Sequence, residues 1–340
     1  MDSVDLEVLK NSVKWLQGGH KVTLVTVTKT WGSSPRPAGA MLALREDGLV
    51  SGSVSGGCIE DDLIYRARHH TLTGTKPEVV TYGVSAEEAR RFGLPCGGTI
   101  QVVLEPLAQA DAMRALLEKV ETRGLIAREL DMESGVSTVR PADASEALQF
   151  DGKQLTTIHG PRYRLIIIGA GQLSTFLAQI ALGLDYQVTV CDPREEYTDI
   201  WDVPGVNLVR TMPDDTIIAL KPDAHTAVIT LTHDPKLDDL ALMEALKTDA
   251  FYVGAIGSRA NNSARRERLK EFELGDDEIA RLHGPIGIYI GSRTPPEIAV
   301  SILAEMTAYK NGITLPEVMR VEVAKEQERQ DASAPGCLVP

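Results

Sequence analysis

Two groups of residues in this chain have the types and spacing for chemistry. The first is the turn Gly169-Ala170-Gly171, followed about 20 residues further on by Asp192. Glycines there let the backbone turn tightly and approach a phosphate. A helix opening at Gln172 would aim its free N–H groups and positive dipole end at the same anion. An acid at that distance meets a ribose hydroxyl. The run reads GxGxxS, because Ser174 stands at the third glycine position, and serine is small enough for close helix–strand packing. This is the chemistry of nucleotide binding, which is not in itself redox catalysis. The second group is a pair of thiols. Cys58 ends Ser55-Gly56-Gly57-Cys58 at an expected helix N-terminus, and Cys96 sits in Pro95-Cys96-Gly97-Gly98 before a strand. A helix N-terminus favours thiolate, the form that binds metals and sulfur species. Two small cysteines packed in tight turns are the plain alternative.

Other residues extend these groups. Arg36, in Ser33-Ser34-Pro35-Arg36-Pro37, combines with hydroxyls on a stiff backbone and suits a phosphate, or the loop is only a rigid connector. His233-Asp234 and Gly257-Ser258-Arg259 follow two later strands, at the sheet edge where ligands bind in open α/β folds. Arg259 there suits a phosphate, and His233 is either a site residue or a polar loop residue. Glu60, Asp61 and Asp62 read as helix-start acids, Arg265, Arg266 and Arg268 as a solvated helix face, and Cys191 as packing within a core strand. No residue is assigned a catalytic role.

The elements that must position these residues follow from periodicity. Leu165 to Ile168 is a short apolar run, as in a parallel strand buried on both faces. Val188 to Val190, Ala227 to Leu231 and Ala250 to Ile256 continue the strands. Helices are expected over 237–246, 262–273 and 276–282, with a last one capped at Thr294 and running to Tyr309. The first half mixes helices at 4–18, from 59 to about 72 and at 108–121 with strands at 21–30, 40–45, 49–54, 79–82, 99–104, 125–130 and 135–140. The polar stretch 141–160 reads as the crossing to the second half, and 326–340 as a loose tail. The fold class is therefore α/β, a mixed α+β domain over 1–160 followed by a Rossmann-like doubly wound parallel sheet over 161–312, with a C-terminal helix or tail over 313–340.

Composition sets the outer limits. The chain has 340 residues, 43% hydrophobic and 24% charged, long enough for two domains. A net charge of −13 argues against a nucleic-acid partner or an anionic membrane surface. No apolar stretch approaches the ~20 residues of a membrane-spanning helix, and the start MDSVDLEVLK is unlike a signal peptide, so a cytoplasmic protein is expected. The 4 cysteines are too scattered for a disulfide framework.

The segments TWGSSPRPAGAML, GSVSGGCIEDDL and LPCGGTIQVVLEP, with GAGQLSTFLAQIALGLDYQVTVCDPR, LTHDPKLD, YVGAIGSRANNSARRERL and PIGIYIGSRTPPEIAVSILAEM, together resemble the XdhC/CoxI family. Its members are accessory proteins of molybdenum hydroxylases such as xanthine dehydrogenase. The sequence departs from the family at Gln172, where members often carry histidine. The resemblance implies a carrier that binds the molybdenum cofactor, as molybdopterin or its dinucleotide form. It would protect the cofactor while its terminal sulfur is installed and hand it to a hydroxylase apoenzyme, with a cysteine desulfurase as a further partner. In that reading Gly169, Gly171, Gln172, Asp192, His233, Arg259 and Arg36 bind the phosphate or nucleotide part. Cys58 and Cys96 meet molybdenum or sulfur. A nucleotide or NAD(P) in the Rossmann crevice and a homodimer belong to the same set of expectations. Two alternatives stand beside it: an NAD(P)-dependent oxidoreductase with His233 as proton donor, and an enzyme that cuts or joins the cofactor's pyrophosphate with Asp61, Asp62 and Asp234 around a divalent metal.

Overall fold

Alternation along the strand Val22–Trp31 (β1) builds a sheet covered on both faces. Leu24 packs with Met41 and Ala43 of Met41–Arg45 (β2) against the helices Val4–Gln17 (α1) and Ala110–Glu121 (α3). Val25 and Val27 pack with Leu42 and Leu44 on the other face, against Ile59 and Leu63 of the helix Cys58–Arg68 (α2). Each of these valine, leucine, isoleucine and methionine side chains contributes about 1.5–3 kcal/mol when fully buried. With Val50–Gly52 (β3), Glu78–Tyr82 (β4) and Thr99–Leu107 (β5), the sheet has the order β3-β2-β1-β5-β4 and is antiparallel throughout. The structure, a computed structural model, describes all residues except 1–3, 32–35, 73, 84–98, 108–109, 123, 273 and 334–340, and excludes the side chains of 58 and 328–333.

A second antiparallel sheet has the order β7-β6-β9-β8, formed by Ile126–Asp131 (β6), Ser137–Pro141 (β7), Gln149–Phe150 (β8) and Gln154–His159 (β9). The stretch 141–160 is thus not only a crossing, because it supplies an interior strand. Its buried face is Leu155, Thr157 and His159, which explains why it reads as polar; Thr157 Oγ1 and His159 Nε2 satisfy each other at 2.7 Å. A buried bidentate pair, Arg128 to Glu105, joins the two sheets. Removing one partner would strand the other charge, at a cost of about 3–5 kcal/mol.

The chain divides into two units, residues 2–161 and 162–340. In the second, Tyr163–Ile168 (β10), Tyr186–Cys191 (β11), Asn207–Val209 (β12), Thr226–Thr230 (β13), Tyr252–Ala255 (β14) and Leu282–His283 (β15) form a parallel sheet. Its order is β12-β11-β10-β13-β14-β15, the 3-2-1-4-5-6 order of a dinucleotide-binding fold. Both faces of β10 are buried. Leu165 and Ile167 pack against Gln172–Gly183 (α4) and Pro295–Lys310 (α10). Ile166 and Ile168 pack on the side of Pro213–Leu220 (α6), Pro235–Ala245 (α7) and Arg259–Glu271 (α8). Short helices Glu195–Thr198 (α5) and Asp276–Ala280 (α9) complete this part.

Three local readings change. His283 belongs to β15 rather than to a loop, and its Nδ1 lies 3.1 Å from Glu305. Glu305 also accepts from the Tyr252 hydroxyl and the Gly287 N–H, each at 2.6 Å, which ties the loop after β15 to α10. Residues 321–333 form a helix, Val321–Ser333 (α11), in place of a loose tail. Its Ala, Lys, Glu, Gln and Arg are good helix formers, so high charge there does not mean disorder. Finally, Arg265 is 5% exposed rather than on a solvated face.

Candidate functional site at the carboxyl edge of the parallel sheet

The strand order reverses direction between β10 and β13, and the chain leaves both strands at the same edge. Gly169 has φ +106°, and a Cβ there would lie 2.9 Å from Thr232 Cγ2. Only glycine lets the two loops approach this closely. Gly169 N donates to Cys191 O and Leu231 N donates to Ile168 O, so the ladder is carried into the turn. Gly171 is the N-cap of α4, and a Cβ on it would meet nothing within 4 Å. As a glycine, Gly171 has no side chain to cap this helix, and no acid stands in its first turn. Its positive end is therefore open to an anion from outside. Gln172, at the first helical position, is exposed. Ser174, 1% exposed, packs close to the sheet, and its Oγ has no partner among the described residues.

Asp192 immediately follows β11 and is fully buried. Its Oδ2 accepts from the Ala170 N–H and from Arg194 Nη2, each at 2.8 Å. Its Oδ1 accepts from Arg194 Nε at 2.8 Å and from the Arg194 backbone N–H at 3.1 Å. Burial opposes the charged carboxylate, but the hydrogen bonds from Arg194 and Ala170 outweigh it and hold the pKa below the usual range. The Arg194 guanidinium is partly exposed and lies 4.1 Å over the Tyr197 ring. The spacing to Asp192 is visible in the sequence; the grip of Arg194 on it is not. Asp192-Pro193-Arg194 is the available signal, a cation two residues past the acid.

Further along the edge, His233 is exposed and Asp234 N-caps α7 by accepting from Lys236 N. Thr232 donates to Asp238, which pairs with buried Arg265 at 3.0 Å. Arg265 also bonds Asp239, Asn262 and the Ile256 carbonyl. This network fixes the loops after β13 and β14 to one another from below. Burial pushes the Asp238 carboxyl up to about 6 in spite of Thr232 and Arg265. Arg266 is likewise held, by the carbonyls of Ile279 and Leu282, whereas Arg268 bonds Asp239 at a half-exposed position. These arginines brace the site, which one sequence cannot show because their acids lie one helix earlier. Arg259 opens α8, but its guanidinium pairs with Glu326 of α11, away from any phosphate role unless that pair opens.

The glycine turn before α2 has a different character. Glu60, 8% exposed, folds back so that Oε1 accepts from Val54, Ser55 and Gly56 N–H and Oε2 from Gly57 N–H. Ser53 and Ser55 hydroxyls also donate to it, and Ser55 Oγ caps Ile59 N. Burial opposes this charge, yet the donors bring the pKa down to about 2. Arg36 Nε donates to the Ser53 carbonyl. Cys58 is the first residue of α2. Its side chain, Cys96, and Ser33-Ser34-Pro35 lie outside the described residues. Asp62 accepts from the Tyr82 hydroxyl at 3.0 Å. Cys191 is buried packing, its thiol pushed up to about 11 by burial. Among the described residues no cluster of three His, Cys, Asp or Glu could hold a metal ion, and no helix is long and apolar enough to cross a membrane.

Comparison with known proteins adds to this geometry. Residues 165–306 match the model of the XdhC Rossmann domain, and residues 15–83 match that of the XdhC and CoxI family. The "Molybdenum cofactor insertion chaperone PaoD" of Escherichia coli (strain K12) is 28% identical over 307 residues, covering 89% of this chain and 88% of that one. A protein of Bacillus subtilis (strain 168), named as a probable xanthine dehydrogenase subunit, is 27% identical over 327 residues, covering 86% and 94%. A crystal structure described as a xanthine dehydrogenase from Bacillus halodurans superposes with a TM-score of 0.70 at 24% identity, covering 95% of this chain and 99% of that chain. At that identity the likeness is one of fold.

Proposed function

The chain belongs to the XdhC and CoxI family, and on that premise we propose that it carries the molybdenum cofactor and supports its sulfuration and insertion into a hydroxylase of the xanthine dehydrogenase type. The observation that carries this reading is the uncapped start of α4 behind Gly169 and Gly171, at the point where the strand order reverses. Such a helix start takes a phosphate through backbone N–H groups, and the pterin cofactor carries one. A relative whose name describes a molybdenum cofactor insertion chaperone covers most of the chain and supports the same reading.

In this proposal the backbone at Gly169, Gly171 and Gln172 holds the phosphate or nucleotide part of the cargo. His233 lies on the same edge, and Arg259 joins only if its pair with Glu326 opens. Cys58 and Cys96 meet the metal or its sulfur, and Arg36 stands in the same half of the chain. The partners are a hydroxylase apoenzyme and a cysteine desulfurase, met in the cytoplasm, with a homodimer as the form in solution.

The test is release of bound pterin. Protein purified from cells that make the cofactor is denatured and oxidised, and pterin fluorescence is read alongside molybdenum. Near-stoichiometric pterin and metal is the expected result, and absence of both, with and without a hydroxylase partner, overturns the proposal. One observation favours a second reading: the 3-2-1-4-5-6 order is that of dinucleotide enzymes. A nicotinamide cofactor that raises the melting temperature and is turned over with a substrate would establish an NAD(P)-dependent oxidoreductase instead. Loss of function on magnesium removal would point to pyrophosphate chemistry.

A further inference from the structure

A ribose diol is taken in Rossmann sites by a carboxylate with free oxygen lone pairs at the end of the second strand. Asp192 holds that position, but four hydrogen bonds already converge on its two oxygens, and none of its surface is exposed. A diol that bonded Asp192 would have to break the double contact with Arg194 and leave a guanidinium unpaired. Desolvating that charge without a partner is costly. What the strand end offers to the crevice is Arg194 itself. A guanidinium has five N–H donors, and its side chain gives two of them to Asp192. Tyr197 supports its face, and Asp192 Oδ2, one of the two carboxylate oxygens that it bonds, also accepts from the Ala170 N–H of the glycine turn. The cation is thus fixed beside the turn. It stands next to an uncapped helix start whose first turn has no acid, and whose Ser174 hydroxyl is buried without a protein partner among the described residues. A doubly charged phosphate ester can accept from the guanidinium's remaining donors without disturbing Asp192.

We propose that Arg194, held by Asp192 and Tyr197 beside the glycine turn, makes this crevice select a phosphomonoester over a bare ribose diol. The proposal rests on the reading of the crevice as the phosphate site of a cofactor carrier, and it names the chemical class that the site takes. For the cargo, it favours the form that ends in a free phosphate over the dinucleotide form.

The test is calorimetric titration of the full-length protein with adenosine 2′,5′-bisphosphate and, separately, with 5′-AMP, which differ only in a phosphate on the diol. The wild type is expected to bind the bisphosphate at least tenfold more tightly. Arg194→Ala should bring the ratio to about one from both sides, losing bisphosphate affinity while AMP affinity rises, because Asp192 is freed to accept the diol. That gain separates a selecting residue from a merely structural one. Arg194→Lys, which keeps the charge, should retain a preference of several-fold and guards against loss of the fold in the alanine variant. Equal affinities in the wild type, or a ratio unchanged by Arg194→Ala, would overturn the proposal while pterin retention left the carrier reading standing. Failure of both probes to bind a protein that retains pterin would also overturn it and move the cargo away from the crevice. Loss of pterin retention with probe selectivity intact would instead overturn only the carrier reading.

Discussion

Two glycine-rich turns each deliver this chain into a helix, and they hold opposite electrostatic states. At Ser53 to Gly57 the loop N–H groups converge on a carboxylate that the helix itself supplies, Glu60. At Gly169 to Gly171 the helix start has no cap and no acid in its first turn, and the nearest acid is held by Arg194. The first turn contains its own anion, whereas the second can receive one. Glycine content at a helix start therefore does not mark an anion site; what matters is whether a nearby side chain already occupies it. The expectation for Cys58 draws on the positive end of α2. That end is neutralised by Glu60, which weakens the electrostatic part of the case for a thiolate there.

The contrast can be broken most strongly at Gly169. Gly169→Val places a β-branched residue at positive φ against Thr232, and should cost about 4 kcal/mol in urea unfolding followed by Trp201 fluorescence. The same change should abolish bound pterin. Next comes Glu60→Ala, which leaves the N–H groups of Val54, Ser55 and Gly57 without their carboxylate while Gly56 N–H keeps Ser53 Oγ, and should cost about 3 kcal/mol in the first unit, read at Trp15. Normal stability in that variant would mean that water replaces the carboxylate without loss.

The same carboxylate gives a pH test. Its folded pKa, about 2, lies below the ordinary value near 4.5. The clamp's contribution, about 3 kcal/mol, is thus fully present above pH ~5 and fades as pH falls through the folded value. Glu60→Gln should remove much of this acid dependence from the unfolding midpoint of the first unit.

Smaller in stability but sharper in function is Gly171→Asp. Its Cβ meets open space, so the fold should change by under about 1 kcal/mol, but the new carboxylate would cap α4 as Glu60 caps α2. Pterin retention should fall at least tenfold, and unchanged retention would mean that the open helix start is not the binding element. The smallest expected change is for Cys58→Ala, which should lower retention several-fold while Cys337→Ala leaves it intact. Equal retention in both removes the thiol from the site.

Much of this molecule is legible in its amino-acid order. The apolar run Leu165–Ile168, the two glycines and the later strands specify a parallel sheet, because a strand buried on both faces must be apolar throughout and a tight turn at positive φ requires glycine. The mixed first half, with alternating strands and an amphipathic first helix, is legible for the same reason. Strand β9 is hidden because its buried face is Leu155, Thr157 and His159, two of which are polar and hydrogen-bond each other. Periodicity registers burial only when the buried residues are hydrophobic.

The site divides along the same line. The sequence by itself determined which backbone turns, where the helix starts and which acid follows β11, since these depend on local conformation and on neighbours in the chain. Only the tertiary structure decided which charges remain available. It assigned Asp192 to Arg194 and Ala170, Glu60 to its own loop, Arg259 to Glu326, and Arg265 to Asp238 and Asp239. A carboxylate or guanidinium can bind a ligand only with lone pairs or N–H groups not already engaged. How many are engaged depends on which partners the fold brings within about 3 Å, a distance that spacing along the chain does not encode.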